Sequence, residues 1–248
     1  MTKLTLVAAL AFAGFTQAAT SVDPQPHDPQ TQINPQTLIN EKGTLLYSDN
    51  FNQNMKQWVV EKTDKTQVSL INQELDIDDG AGVTIWFRED IQTPSVIEFN
   101  GAVVVNGGVN DRGTDLNFFW MAQEPGNNDF FTKSAWRGGD MRKYDPMRLY
   151  YIGYGANDNS TTRFRRYPGD GTRPLLPEYD VNEQDFMNVP NKHTNIKIVN
   201  LDDKILVFAN DKQLYEIKDK EQFKSGKFGF RTWKSHLRID DFKVYSLN

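Results

Sequence analysis

From about residue 45 onward, apolar and polar residues alternate in short runs separated by turn-forming residues. Gln67-Val68-Ser69-Leu70-Ile71 and Glu74-Leu75-Asp76-Ile77 flank an Asn72-Gln73 turn, and residues 82–87 follow Asp79-Gly80. Runs at 96–99, 102–105 and 116–122 continue the pattern, and the last third adds 196–199, 204–208, 213–217, 227–233 and 237–245. A period of two places successive side chains on opposite faces of a strand. Asn210-Asp211-Lys212 and Leu201-Asp202-Asp203 carry tight-turn chemistry. Only a weak helical pattern stands out, at residues 182–187. Short strands recurring about every ten residues, with turn signals between them, predict an all-β fold, a two-sheet β-sandwich.

The same alternation assigns faces. In Phe228-Gly229-Phe230-Arg231-Thr232-Trp233 the Phe pair suits the core, which sends Arg231 and Trp233 the other way. Phe164 inward leaves Arg163 and Arg165 outward, and Leu237 and Ile239 mark a core face. In Leu149–Tyr154 one face carries Tyr150, Ile152 and Tyr154. If these strands are neighbours, Arg163, Arg165, Arg231, Trp233, Tyr150 and Tyr154 line one concave sheet face.

Composition bounds what such a face does. The chain has 248 residues, 38% of them hydrophobic and 12% aromatic, with a formal net charge of -5, so one domain with a full core is expected and a nucleic-acid partner is not. Met1-Thr2-Lys3 and the apolar run 4–15 before Thr16-Gln17-Ala18-Ala19 form a secretory signal peptide over residues 1–19. The run is too short for a spanning helix, so no membrane anchor is expected. Cleavage falls near Ala18 or Ala19, which makes the mature protein secreted or periplasmic. Residues 20–42, rich in Pro, Gln, Asn and Asp, read as a disordered tether, and 43–248 as the sandwich domain. There is no Cys, which removes disulfides and thiolate chemistry.

Chemistry concentrates between Trp136 and Tyr179. Trp136-Arg137-Gly138-Gly139-Asp140, Tyr150-Tyr151, Tyr154, Thr162-Arg163-Phe164-Arg165-Arg166-Tyr167 and Arg173 interleave flat rings with guanidinium groups. Rings stack on sugar faces, and Arg grips a carboxylate or sulfate at two points, so the mixture suits an acidic oligosaccharide or polysaccharide as partner. The plainer alternative is a solvated face on which Arg pairs with Asp and Glu. With Tyr, Arg and His at hand, the fitting reaction is β-elimination from a uronic acid. Arg165 and Arg231 would neutralise the carboxylate, Tyr154 or Tyr150 would take the C5 proton, and His236 would be an acid/base partner. Tyr has an ordinary pKa near 10 and needs adjacent cations to act as a base. Trp120, Trp233, Arg137, Arg163, Asp140 and Asn117 would hold the sugar.

Other motifs weigh less. Glu74-Leu75-Asp76-Ile77-Asp78 resembles the alternating carboxylate strand of retaining sandwich-fold β-glucanases, but ends in Asp where that pattern has Glu and runs into a turn. Three His, one of them in the tether, cannot build a His-rich metal site. No cofactor is expected. A structural Ca²⁺ among Asp111, Asp115, Asp158 or Asp170 has no supporting loop spacing.

The Trp136–Asp140 block, residues 149–157, Thr161–Tyr167, Arg173-Pro174-Leu175-Leu176, and 226–231 with Trp233, Ser235 and His236 resemble a family of exported bacterial proteins. That family has a concanavalin-like jelly-roll fold and occurs in polysaccharide-degradation gene clusters. The chain is similar, more distantly, to a protein encoded with the rhamnogalacturonan-degrading enzymes of a soil bacillus. The resemblance implies a jelly roll from about residue 45 onward. It also brings in polysaccharide lyases of related fold, which use Arg, His and Tyr on the concave face, and an oligosaccharide dehydratase of ulvan degradation. A non-catalytic glycan-binding module or a hydrolase of a modified glycoside would use the same residues differently.

Overall fold

A computed structural model describes residues 33–248. The expected signal peptide, residues 1–19, and residues 20–32 of the expected tether lie outside the described residues. In chain order the strands are β1 (Gly43–Asp49), β2 (Trp58–Glu61), β3 (Thr66–Ile71), β4 (Glu74–Asp79), β5 (Val83–Phe87), β6 (Ile91–Gln92), β7 (Ser95–Val103) and β8 (Leu116–Gln123). They continue as β9 (Arg148–Gly155), β10 (Thr161–Pro168), β11 (Asp180–Val181), β12 (Thr194–Asn200), β13 (Ile205–Ala209), β14 (Lys212–Ile217), β15 (Ser225–Thr232) and β16 (His236–Leu247). The first sheet runs β14-β13-β12-β7-β16-β4-β3, with β1 also on β16. The second runs β11-β10-β9-β8-β15-β5-β2, with β6 also on β15. Every pairing is antiparallel.

The local rules explain this outcome. Asn72-Gln73 and Asn210-Asp211 adopt left-handed backbone, with φ of 54° and 67°, and 49° and 62°, as two-residue hairpins require. The period-two apolar positions meet between the sheets. Leu75, Ile77, Ile97, Phe99, Ile198, Leu237 and Ile239 of the first sheet pack on Ile85, Phe118, Ile152, Phe164, Phe228 and Phe230 of the second. Burying each such side chain contributes about 1.5–3 kcal/mol, so the alternation fixes which face turns inward. The pattern near residues 182–187 amounts to one 3-10 turn, Gln184–Phe186.

Two features depart from the expected tether and strand plan. Pro35–Lys42 is a helix, α1, although it was expected to belong to the tether. Asn34 accepts a hydrogen bond from the Thr37 backbone N–H (3.0 Å), Pro35 fills the first turn, and Ile39 is buried. Ile39 joins Val96, Val199, Leu206, Phe208 and Leu247 in a small cluster, and that burial outweighs the polar composition. The second feature is the segment 124–147 between β8 and β9. Its short turns, Phe130–Lys133, Ser134–Arg137 and Met141–Tyr144, fold over the outer face of the second sheet. Phe130, Tyr144 and Met147 bury Trp86, Phe119, Leu149, Tyr151 and Tyr167 there in a second cluster. Trp86 stacks on Phe119 at 5.4 Å and 16°, and meets the edge of Phe130 at 5.0 Å. Among the described residues no helix is long and apolar enough to cross a membrane.

Candidate functional site

Beyond the covered half, the outer face of the second sheet stays open as a groove of about 610 Å³. Register builds it. Arg163 on β10 pairs with Gly153 on β9, Gly153 with Asn117 on β8, Asn117 with Arg231 on β15, and Arg231 with Thr84 on β5. These five residues form one transverse row on the face away from the core. The next row brings Arg165 beside Tyr151 and Phe119. A Cβ at Gly153 would lie 2.8 Å from the Tyr151 hydroxyl, so any larger residue there would displace that phenol. The loops add Arg112, Asp115, Asp158, Arg173 and Trp233, and β10 adds Tyr167.

The guanidinium groups differ in how they are held. Arg231 is fixed by hydrogen bonds from its Nη1 to the Gly139 carbonyl (2.9 Å) and Thr84 Oγ1 (3.0 Å), and lies 5.5 Å from the Tyr144 ring. That carbonyl reaches it because Gly139 and Gly82 touch backbone to backbone; a Cβ on Gly139 would sit 2.3 Å from the Gly82 oxygen. Arg165 is ion-paired with Asp180 at 2.8 Å. Arg112 pairs with Asp158 across the rim and lies over Trp233, 5.6 Å from its ring. Arg163 forms no ion pair among the described residues, and its Nε is buried without a hydrogen-bond partner, as is Asn117 Oδ1. Trp233 is 47% exposed, an accessible ring at the groove edge.

The acids and phenols of the groove are perturbed by burial. Burial pushes the Asp115 carboxyl above its ordinary range, against the pull of Asn117, Arg112 and Arg231. Asp115 accepts from Asn117 Nδ2 at 3.1 Å. Burial raises Tyr167 to about 12 despite Arg173 beside it. Tyr151 is raised by burial and by Tyr167 and Asp115, with Arg231 and Arg163 opposing. Both phenols stay protonated at neutral pH.

Of the expected site residues, Arg163, Arg165, Arg231, Trp233 and Asn117 meet in the groove. The others do not. Tyr150 and Tyr154 lie in the core because Ile152, between them on the same face, belongs there and period two carries both inward. Tyr150 donates to Asp219 (2.6 Å) and accepts from the Phe223 N–H (3.0 Å). Burial raises the Tyr154 phenol to about 12, so neighbouring cations do not make it a base. Trp120 is also core, donating to Asn200 at 3.1 Å. Arg137 is fully buried on Glu61 (2.6 Å) and Glu124 (2.5 Å), where it anchors the 124–147 segment. Asp140 caps the Met141–Tyr144 turn and lies beside a neighbouring hollow. His236 is on the first sheet, its Nδ1 on Asp111 (2.8 Å) and its Nε2 on Asp76 (2.9 Å).

The glucanase-like acids occupy that first sheet too: Asp76 holds His236, Asp78 accepts from Asn110, and Glu74 meets His193. None of them lines the groove. For calcium, Asp111 is committed to His236, Asp158 to Arg112 and Asp170 to Thr172, and Asp115 bonds Asn117. No group of three or more His, Asp or Glu among the described residues has metal-binding geometry. Sequence reasoning counted Tyr151, Tyr167 and Arg173 in the aromatic–Arg cluster but gave them no role on the open face, passed over Arg112, and considered Asp115 only for calcium. The cue for Tyr151 was Ile152, whose apolar side chain marks the face opposite the groove.

A family model described as "Domain of unknown function (DUF6250)" matches residues 77–242. The chain belongs to the DUF6250 family. The DUF6250 span contains every residue of the groove just described. No curated protein matches the chain in sequence. Among solved structures, this DUF6250 chain is similar to a protein of unknown function with galectin-like fold from Bacillus subtilis. The identity is 16% and the TM-score 0.64, covering 82% of this chain and 96% of that one. It also resembles an endo-β-1,3-glucanase from Pyrococcus furiosus, at 15% identity and TM-score 0.52, over 84% and 97% of the two chains. A third match is the carbohydrate-binding module CBM66 from Bacillus subtilis, at 10% identity and TM-score 0.50, over 76% and 95%. These likenesses establish the galectin-like, concanavalin-like β-sandwich as the fold of this DUF6250 member.

Proposed function

We propose that the protein binds an acidic saccharide in this groove and acts on its uronic acid by β-elimination. The carrying observation is that five Arg share the groove lining with two carboxylates, next to an exposed Trp and two protonated phenols. The similar structures named for glucan cleavage and carbohydrate binding fit a sugar ligand. Arg163, with its unpartnered Nε, and the backbone-pinned Arg231 lie in one row of the sheet and suit a uronate carboxylate. Neutralising that carboxylate acidifies the C5 proton.

Roles follow from protonation. Asp115, whose carboxyl burial pushes above its ordinary range, takes the proton from C5 when ionised. The electrons of that C–H bond form the C4=C5 double bond as the C4–O bond breaks, and Tyr151 donates its phenolic proton to the departing oxygen. Asp115 returns its proton to the Tyr151 phenolate through water. Departure of a sugar hydroxyl is chain cleavage, and departure of water from a terminal uronate is dehydration.

The test is incubation with uronate oligosaccharides from pectin, alginate and ulvan, followed by ultraviolet absorbance of the unsaturated product and by mass spectrometry. An unsaturated product is expected. Binding with no product would make the protein a glycan-binding module, a saturated product would make it a hydrolase, and no binding by any acidic saccharide would end the reading altogether.

A further inference from the structure

The groove does not stop at Arg231. A second hollow of about 370 Å³ lies beyond it, and the two share Met141, Arg173, Arg231 and Trp233 in their walls. Gly138, Gly139 and Asp140 from the 124–147 segment form one wall, and Thr63 and Ala81 from the β2–β3 and β4–β5 turns line it as well. Arg142, Arg173 and Arg231 set three positive charges against the carboxylate of Asp140 in the wall and that of Asp145, 3.8 Å from Arg173. Asp140 is itself used in capping, accepting from the Arg142 N–H at 3.1 Å.

The geometry points to this hollow as a second saccharide subsite, for a sugar bearing a carboxylate or sulfate, linked to the one in the main groove. This rests on the acidic-saccharide reading of that groove and adds the ligand's minimum length and the charge of its second unit. Trp233 borders both compartments, its indole 47% exposed, so one ring is offered to a saccharide that crosses the saddle at Arg231. The Gly82–Gly139 contact brings the 138–140 turn down onto the sheet, where the Gly139 carbonyl accepts from Arg231 at the junction of the two hollows.

Titration calorimetry tests it with acidic saccharides graded from monomer to tetramer, on the full chain and on Thr63→Trp and Arg142→Glu. Both residues are exposed and line only the second hollow, so neither change threatens folding. In the wild type, affinity should rise roughly tenfold or more from monomer to the length that fills both compartments, the gain expected of one further charged contact. Each variant should flatten that rise and leave monomer affinity within about twofold. R142E should affect an acidic or sulfated second unit more than a neutral one, and comparing carboxylated with sulfated dimers identifies which anion is preferred. Length-independent binding, or a length gain that survives both T63W and R142E, overturns the second subsite and leaves the main groove standing. Absence of binding at every length overturns both.

Discussion

Arg163 and Asp115 separate binding from chemistry. Arg163 has no acidic partner to be orphaned by its removal. Arg163→Ala should therefore leave the melting temperature unchanged and weaken acidic-saccharide binding by about 10- to 100-fold, the worth of a hydrogen bond to a charged group. Asp115→Asn keeps shape and the contact with Asn117, so it should bind normally and lose about 10²–10⁴ in turnover, as removal of a general base does. Because burial raises the Asp115 carboxyl, the acid limb of the rate profile should lie above the ordinary carboxylate range, and D115N should abolish that limb. A D115N enzyme with normal turnover would remove Asp115 from the mechanism. Much of this was legible in the sequence: placing Phe164, Phe228 and Phe230 inward correctly sent Arg163, Arg165 and Arg231 outward. Tyr150 and Tyr154 went wrong because aromaticity was given more weight than the Ile152 between them.

At the scale of elements, two polar knots hold the site in shape. The 124–147 segment is tied to β2 through the buried Arg137–Glu61 pair, to which Tyr144 donates at 2.7 Å. Glu61→Ala leaves a buried guanidinium short of its partner and should cost about 3–5 kcal/mol, hence roughly 6–20 °C in melting temperature, with loss of saccharide binding as the segment loosens. The second knot joins the 106–112 loop to the first sheet through His236. Its hydrogen bond with Asp76 raises its pKa above the ordinary 6.5, burial opposes, and the bond with Asp111 helps, with Asp78 and Arg238 also nearby. A raised folded value means that this stabilisation is complete below pH 6.5 and is lost as pH climbs through the raised value. Denaturation midpoints measured across that window should fall with pH, and His236→Gln should flatten the trend. Neither knot was legible in the sequence, because each joins residues more than seventy positions apart. The helix α1 escaped notice for a related reason: its buried Ile39 packs on strands far along the chain.

For the whole molecule, a core shared by both sheets and no Cys imply one cooperative unfolding event. Calorimetry and circular dichroism should give coincident transitions that a thiol reductant does not move. A chain starting at Gly43 loses Ile39, a burial worth about 2–5 kcal/mol, and should melt roughly 4–20 °C lower with saccharide binding intact. A second transition, or binding lost along with α1, would contradict that separation. The sandwich itself was readable from period two alone, since every strand pattern singled out in the sequence falls within a strand or at its end. The cover over the second sheet was not, because turns of four residues are too short to carry a periodicity.

That cover has a consequence for how such a protein can change. The strands offer a broad plate, and the 124–147 segment decides how much of it stays uncovered. Lengthening or trimming this insertion at its exposed positions, away from Phe130, Arg137 and Tyr144, would resize the trough and leave the strand pairing in place. In this architecture the gauge for ligand length sits in a loop, where variation is cheapest.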